Sequence, residues 1–519
     1  MSDGIVLVGL PGSGKTEVGR LLAERLARDF IDTDELVQRQ SGLTPAALIE
    51  RDGEPAFRAI ERAAIESIPP RAIVATGGGA LNDPLNRWRL WQHGTAVWLR
   101  VPLPTLAARL AADPVPRPLL GPDHPIAGLA RLASERAPFY RAADVETDAD
   151  HPPSVIADDL VRLAPPGGRR LFDAEAERHH PMGPTHARIV YGVDLEPPRF
   201  DGQASLVVDR RVAELQPNLV AALRPARCLA IAAGERAKRL PSLERVLDWL
   251  AASHAERGDS LIGVGGGTLG DLAGLAAALY ARGVPYVAVP TTWLAQADAA
   301  LGGKVGVNLA GAKNAVGAFW PPWAVMADIA VLRTLPVKRR RDGLAEAIKA
   351  AIIGDHELWR LLEERGQAAL RDDEAARYAI TERAARLKLA IVARDPFEYG
   401  ERRQLNLGHT LGHALEIESG YRLPHGSAVA LGLRAAARIA AGRGADANLP
   451  ERLDSLLAAL GFPLHRAFDP ASVRTALLGD KKRASGRQRW LLPISIGQVV
   501  EADDVTDAEL DVALGSIGK

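Results

Sequence analysis

At 519 residues the chain is too long to close around one core, so two to four domains are expected. Apolar residues make up 47% and charged residues 25%, the balance of a soluble globular enzyme. Lys and Arg total 64 against 64 Asp and Glu, which excludes an overall field that would draw in nucleic acid or an anionic membrane. The single cysteine, Cys228, excludes an internal disulfide and a thiolate zinc site and suits a reducing cytoplasm. With no partner pattern around it, it is expected to be a small buried hydrophobe. The N-terminal run Ile5–Leu10 is short and lacks a basic flank, and no apolar stretch is long enough to span a bilayer, so neither a signal peptide nor a transmembrane helix is expected.

In chain order, Ile5–Gly9 reads as a buried strand and Glu17–Arg28 as an amphipathic helix. Between them Gly9-Leu-Pro-Gly12-Ser13-Gly14-Lys15-Thr16 is a complete phosphate-binding loop. Its glycines let backbone N–H groups wrap a polyphosphate at a helix N-terminus. Lys15 can reach the terminal phosphates, and Thr16 can offer its hydroxyl to Mg2+. Asp32-Thr33-Asp34 ends a short second strand, which sets one carboxylate for the metal and another for a polyol hydroxyl. Arg58 falls on a later helix, Gly77-Gly78-Gly79 closes a strand, Arg117 sits in a Pro-rich segment, and Arg136 lies on a further helix.

In this order the motifs resemble shikimate kinase over residues 3–163. The resemblance implies that Asp34, Arg58, Gly78 and Arg136 bind shikimate, with Asp34 orienting or deprotonating its 3-hydroxyl. It implies ATP contacts at Gly12, Ser13, Gly14, Lys15, Thr16, Glu17, Arg109 and Arg117, with Arg117 closing as a lid arginine and Arg109 packing on the adenine. Thr16 and Asp32 would hold Mg2+. Residues 165–184, flanked by Pro and Gly with a charged middle, read as a linker in which His179-His180 is solvated.

The second half opens with strand patterns at His186–Gly192, Ala204–Asp209 and Cys228–Ala232. Ser260–Val264 is another apolar strand, running into Gly265-Gly266-Gly267-Thr-Leu-Gly270-Asp271 and a small-residue helix, a phosphate-approach pattern that differs from the common dinucleotide fingerprint. Val287–Pro290 leads to Thr291-Thr292, and a glycine-punctuated polar run from Asp298 through Lys304, Asn308, Lys313 and Asn314 to Gly317 is too interrupted for a plain helix. Glu346 and Lys349 are three apart on a helix and face one way. From Asn406 to Val429, His409, His413, Glu416 and His425 suggest a metal site, and helical spacing alone would pair His409 with His413.

The signatures Gly-Gly-Gly-x-x-Gly-Asp, Pro-Thr-Thr, Gly-Gly-Lys, Gly-x-Lys-Asn, Ala-Glu-x-x-Lys and Asn-x-Gly-His-Thr-x-Gly-His-Ala-x-Glu resemble, in order, 3-dehydroquinate synthase over residues 186–515. That resemblance implies Glu346, His409 and His425 as ligands of a catalytic Zn2+ or Co2+, with His413 facing the substrate. It implies NAD+ contacts at Glu235, Lys238, Gly266, Gly267, Asp271, Thr291, Thr292, Lys304, Lys313 and Thr334. Heptulosonate phosphate contacts would be Asp298, Lys304, Asn314, Lys349, Lys388, Arg402, Asn406, His413 and Lys481, with Lys304, Asn314, Lys349, Asn406 and His413 carrying catalysis. In that family NAD+ oxidises an alcohol, phosphate leaves by β-elimination, and the reduction is then returned, so the cofactor is not consumed. Two departures stand out, Ser427 after His425-Gly426 and the segment Asp395-Pro396-Phe397.

The expected protein is therefore α/β. Residues 1–164 form a phosphate-loop kinase with a parallel sheet, 185–335 an α/β NAD-binding domain, and 336–519 a mostly helical metal and substrate domain. A bifunctional cytoplasmic shikimate-pathway enzyme, homodimeric through its synthase half and without nucleic-acid or membrane partners, is the expected function. The alternative is a small-polyol kinase fused to a metal- and NAD-dependent polyol dehydrogenase.

Overall fold

A computed structural model describes residues 4–112, 125–163, 168–180, 183–196, 202–309, 312–478, 483–484 and 487–518. Arg117 and Lys481 lie outside the described residues. The chain divides into two compact units, Met1–Glu175 with Ile189–Glu196, and Ala176–Arg188 with Pro197–Lys519.

In the first unit, β1 (Gly4–Val8), β2 (Phe30–Asp32), β3 (Ile73–Ala75), β4 (Gly94–Arg100) and β5 (Val145–Asp148) form a parallel sheet in the order β2-β3-β1-β4-β5. β1 is buried along its whole length, which explains its unbroken apolar sequence. The strand order reverses beside β1, so the turn leaving its carboxyl end opens into a crevice of the kind where such sheets bind ligands. The Lys15–Leu26 helix starts from that turn, with Gly14 at φ 86° as its N-cap.

The next strands in the chain are β6 (Arg169–His180), β7 (Gly183–Val193), β8 (Ala204–Asp209), β9 (Arg227–Ile231), β10 (Ser260–Gly265), β11 (Tyr286–Pro290), β12 (Lys304–Leu309), β13 (Ala312–Phe319) and β14 (Ala324–Asp328). A seven-stranded sheet runs β6-β7-β14-β11-β10-β8-β9, with β14, β11, β10, β8 and β9 parallel. β12 and β13 make a separate antiparallel ribbon, so the glycine-punctuated run is a hairpin. From Val337 the chain turns mostly helical, and its helices include Val337–Gly354, His356–Leu370, Glu374–Arg394, His409–Glu418 and His425–Gly442. Among the described residues no helix is long and apolar enough to cross a membrane.

Two expectations are corrected. The stretch 165–184 contains the strand β6 where a linker was expected. Its Pro and Gly ends masked a two-residue alternation, in which Glu175 and Glu177 are exposed while Ala174 and Ala176 are half-buried. Phe172 is buried against Phe139 and Tyr191, with ring centroids 6.2 and 6.0 Å away. Cys228 is exposed, not buried. It lies on β9, the last strand in the sheet order, where alternate side chains face solvent. The native protein should consequently react with a thiol reagent at one site per chain before denaturant is added; a thiol that titrates only after unfolding would contradict this placement.

Candidate functional site

In the first unit the glycine turn after β3 gathers side chains from three other elements. A Cβ added at Gly77 would lie 2.1 Å from Asp34 Oδ1, one at Gly78 3.4 Å from Arg136 Nη1, and one at Gly79 2.7 Å from Arg58 Nη2. A side chain at Gly77 or Gly79 would displace Asp34 or Arg58, whereas one at Gly78 would only touch Arg136. Arg58 Nη1 donates to Glu61 Oε2 at 2.8 Å, and Nη2 donates to Glu54 Oε1 at 3.0 Å. Burial raises the Glu61 carboxyl above its ordinary value although Arg58 opposes this. Arg136 is 3% exposed, and its Nε and Nη1 have no hydrogen-bond partner among the described residues. A guanidinium held dry with unused donors is a prepared carboxylate or phosphate site.

Across the crevice, Lys15 Nζ donates to the carbonyls of Gly9 and Leu10 at 2.9 and 3.1 Å, folding over its own loop. Thr16 Oγ1 donates to Asp32 Oδ2 at 2.8 Å, while Asp32 Oδ1 accepts from Asp34 N at 3.0 Å and caps the following helix. The Thr16–Asp32 oxygens thus sit together beside the phosphate loop, a donor set suited to hard Mg2+. Arg109 Nη1 donates to the Gly12 carbonyl at 3.4 Å. Ser13 is buried and Glu17 stands in the first turn of the Lys15–Leu26 helix.

In the second unit, Glu346 from the Val337–Gly354 helix, His409 and His425 place one ligand atom each within 4.8 Å of one another. His425 Nε2 lies 3.1 Å and His409 Nε2 3.3 Å from Glu346 Oε1. Close helix approach makes this possible. A Cβ on Gly426 would fall 2.5 Å from Asp342 Cα, and one on Gly432 1.9 Å from the Gly408 carbonyl, so the His425–Gly442 helix touches both neighbouring backbones. His409 Nδ1 faces the Leu407 carbonyl at 3.1 Å and His425 Nδ1 faces Glu416 Oε1 at 3.2 Å, so donation from Nδ1 would leave both Nε2 atoms as ligands once a metal displaces the protons shared with Glu346. Two imidazole nitrogens and a carboxylate oxygen fit a catalytic divalent metal with an open position. Among the described residues the group of ligand atoms is Glu346, His409 and His425, and the His413 ring lies beside it, 5.3 Å from that of His409 and 6.4 Å from that of His425.

Charges alternate around the cluster. Lys349 pairs with Glu346 and reaches Asp298 Oδ1 at 3.4 Å, and Lys388 lies 2.9 Å from Asp298 Oδ2. Burial favours the neutral acid at Glu346, but Lys349, His409 and His425 outweigh it and hold the carboxyl well below its ordinary range. Burial likewise lowers Lys388, with Asp298 opposing it. Burial depresses His425, yet Glu346 and Glu416 reverse this and raise it to about 9. Glu416 is held at about 2 by His425 and Lys313 against its own burial. Arg402 Nη2 donates to the Gly302 carbonyl at 2.6 Å, Lys304 pairs with Glu398, and Asn406 Nδ2 donates to Glu398 Oε1 at 2.7 Å. The departing segment serves this arrangement, because Asp395 accepts from the N–H groups of Tyr399, Gly400 and Arg402, and Phe397 packs on Phe319 at 5.4 Å. Ser427 is buried two residues after His425.

A cleft of about 380 Å³ is lined by Gly266, Gly267, Asp271, Pro290, Gly303 and Lys304. Beside it Lys238 pairs with Asp271 and donates to Asn314 Oδ1 at 2.6 Å. Asn314 adopts φ 51°, and its N–H donates to Asn308 Oδ1 at 2.8 Å while Asn308 Nδ2 donates to Glu235 Oε1 at 2.7 Å. Thr291 is buried, and Thr292 caps the helix after β11. Thr334 Oγ1 accepts from Gln216 Nε2 at 3.1 Å and donates to the Val331 carbonyl at 3.1 Å. Sequence reasoning left Asn308, Glu398 and Glu61 without roles and grouped Glu416 with the metal-site candidates, whereas the structure sets it beside His425 Nδ1. Glu61 was readable from its i,i+3 spacing to Arg58, whereas Asn308 depends on a ribbon pairing that no local pattern displays.

The fold and these clusters define a class: a phosphate-loop kinase unit joined to a dinucleotide- and metal-dependent unit acting on anionic polyols. The comparisons narrow it. The family pattern "Shikimate kinase" matches residues 11–164, "3-dehydroquinate synthase N-terminal" matches 228–342, and "3-dehydroquinate synthase C-terminal" matches 343–483. The 3-dehydroquinate synthase of Cereibacter sphaeroides is 40% identical, over 60% of this chain and 88% of its own length. That of Desulforamulus reducens is 42% identical, over 59% of this chain and 88% of its own. A 2-epi-5-epi-valiolone synthase from Streptomyces hygroscopicus, solved with NAD+ and Zn2+ bound, is 31% identical, covers 63% of this chain and 95% of its own, and superposes with a TM-score of 0.60. The chain belongs to the 3-dehydroquinate synthase family and carries a shikimate kinase module ahead of it.

His425 yields a pH prediction for the metal-free protein. Its value of about 9 lies above the ordinary 6.5, so the stabilisation from its ion pairs is complete below about 6.5 and is lost as pH rises through 9. Thermal midpoints of chelator-treated protein should fall around that pH, and His425→Gln should remove the step. Coincident profiles for the two proteins would exclude it.

Proposed function

We propose that the chain is a bifunctional enzyme of aromatic biosynthesis. One activity phosphorylates shikimate with ATP, and the other converts 3-deoxy-D-arabino-heptulosonate 7-phosphate to 3-dehydroquinate and phosphate. The carrying observation is the Glu346–His409–His425 cluster ringed by Lys349, Lys388 and Asp298, in a chain that also holds Asp34 and Arg136 beside a phosphate loop. Bound NAD+ would supply a reversible oxidation of a secondary alcohol, and Zn2+ or Co2+ at the cluster would polarise vicinal hydroxyls.

Residues 185–335 would provide the dinucleotide layer and 336–519 the metal and substrate layer. Lys349 and Lys388, both buried, with Arg402, Lys304 and Asn406, bind the carboxylate and phosphate of the substrate. Asp298 holds the two lysines apart and aimed. In the kinase unit Arg58 and Arg136 grip the shikimate carboxylate, Asp34 accepts or orients the hydroxyl proton, and Lys15 swings from its loop carbonyls to the phosphates. Thr16 and Asp32 would hold Mg2+. The protein works in the cytoplasm as a homodimer through its synthase half.

Phosphate release from the heptulosonate phosphate should require both NAD+ and metal and yield a carboxylated cyclic product without net NADH. Accumulating NADH would instead indicate a polyol dehydrogenase, and a neutral cyclitol product a valiolone-type cyclase. Lys15→Met should lower shikimate phosphorylation by at least about 100-fold while phosphate release persists. His425→Ala should do the reverse.

A further inference from the structure

Neither the ligand set nor the substrate contacts employ Glu416, although it is 4% exposed and carries a carboxylate. Its helix, His409–Glu418, puts it two turns beyond His409, on the metal-facing side. There Oε1 faces His425 Nδ1 at 3.2 Å, and both oxygens accept from Lys313 Nζ at 3.1 Å. Lys313 belongs to β13, next to Asn314, which Lys238 of the Asp271 pair holds. One buried carboxylate therefore joins the metal cluster to the ribbon bordering the dinucleotide cleft.

We propose that Glu416 is a positioning residue that sets, through one shared carboxylate, both the metal-binding imidazole of His425 and the dinucleotide-facing ammonium of Lys313. The proposal rests on the functional reading above, which gives the metal to Glu346, His409 and His425 and a cofactor contact to Lys313. A histidine that offers Nε2 to a metal must carry its proton on Nδ1, and a carboxylate accepting that proton fixes the tautomer and the ring plane. A carboxylate also has acceptor capacity left over, about four lone-pair sites in all. Lys313 uses that capacity to fix the end of a flexible four-carbon stem, and at least one of its three N–H groups stays available for a ligand. The carboxylate, buried as it is, needs both donors to satisfy its oxygens there. The two assignments are thus made by the same group.

The test uses the full chain. Zinc affinity is measured by competition with a chromophoric chelator, and NAD+ affinity by calorimetry on zinc-loaded protein. Glu416→Gln should weaken zinc about 10- to 100-fold and NAD+ about tenfold. Lys313→Met should weaken NAD+ by a similar factor with zinc within about threefold of wild type, and the double variant should bind NAD+ no more weakly than Lys313→Met alone. A circular dichroism spectrum matching that of wild type shows that the second unit, which holds Glu416 and Lys313, is folded. If Glu416→Gln is insoluble, Glu416→Asp replaces it, since a carboxylate one carbon shorter cannot span both partners and should lose at least about fivefold in one affinity. Both affinities within about twofold of wild type, or fully additive NAD+ effects, would overturn the shared role. A wild-type chain that binds no NAD+ would instead overturn the functional reading, and this proposal with it.

Discussion

Everything in the second unit's site turns on Glu346. Its carboxylate is 2% exposed, and a charge so placed persists only when cations surround it. Lys349 and His425 supply them, His409 adds a hydrogen bond from a third helix, and each charged neighbour is in turn balanced: Lys349 by Asp298, His425 by Glu416. The arrangement is an alternating lattice of buried charges in which every member has opposite charge on at least one side. Such a lattice is sensitive to small displacements, because a charge that loses its partner in a dry interior is penalised more than the pair was favoured. Backbone contacts at Gly426 and Gly432 hold the helices close enough to sustain it.

How much of this was legible depended on whether the partners were local in sequence. The phosphate loop is contiguous, and its strand–loop–helix context can be read directly. The His409–Glu418 helix is local too, and its spacing suggested His409 with His413 as a pair. The structure instead joins His409 to His425 and Glu346, residues that periodicity cannot bring together, because only helix packing does. The resemblance to a family supplied that pairing where physics at the sequence level could not. The stretch 165–184 misled for the opposite reason: its terminal Pro and Gly residues outweighed a short alternation that becomes meaningful only when Phe172 finds Phe139 and Tyr191. Cys228 misled because composition describes an average thiol, whereas exposure on β9 depends on that strand's place in the sheet order.

The two units prepare for anionic ligands in opposite ways. In the first, Arg136 is buried with Nε and Nη1 unused, so a carboxylate entering there meets donors with no internal competitor among the described residues. Binding then recovers hydrogen bonds that the free protein forgoes. In the second, Lys304 is already paired with Glu398, and Lys388 with Asp298. An anion reaching those lysines exchanges one ion pair for another, which yields little net affinity but strong selectivity for a ligand whose charges match the lattice. Glu398 sits at φ 64° on the loop that Asp395 caps, so the competing carboxylate belongs to a backbone held away from its relaxed conformation. The segment Asp395-Pro396-Phe397 therefore bears directly on the site: it fixes where the internal competitor to an incoming anion is held.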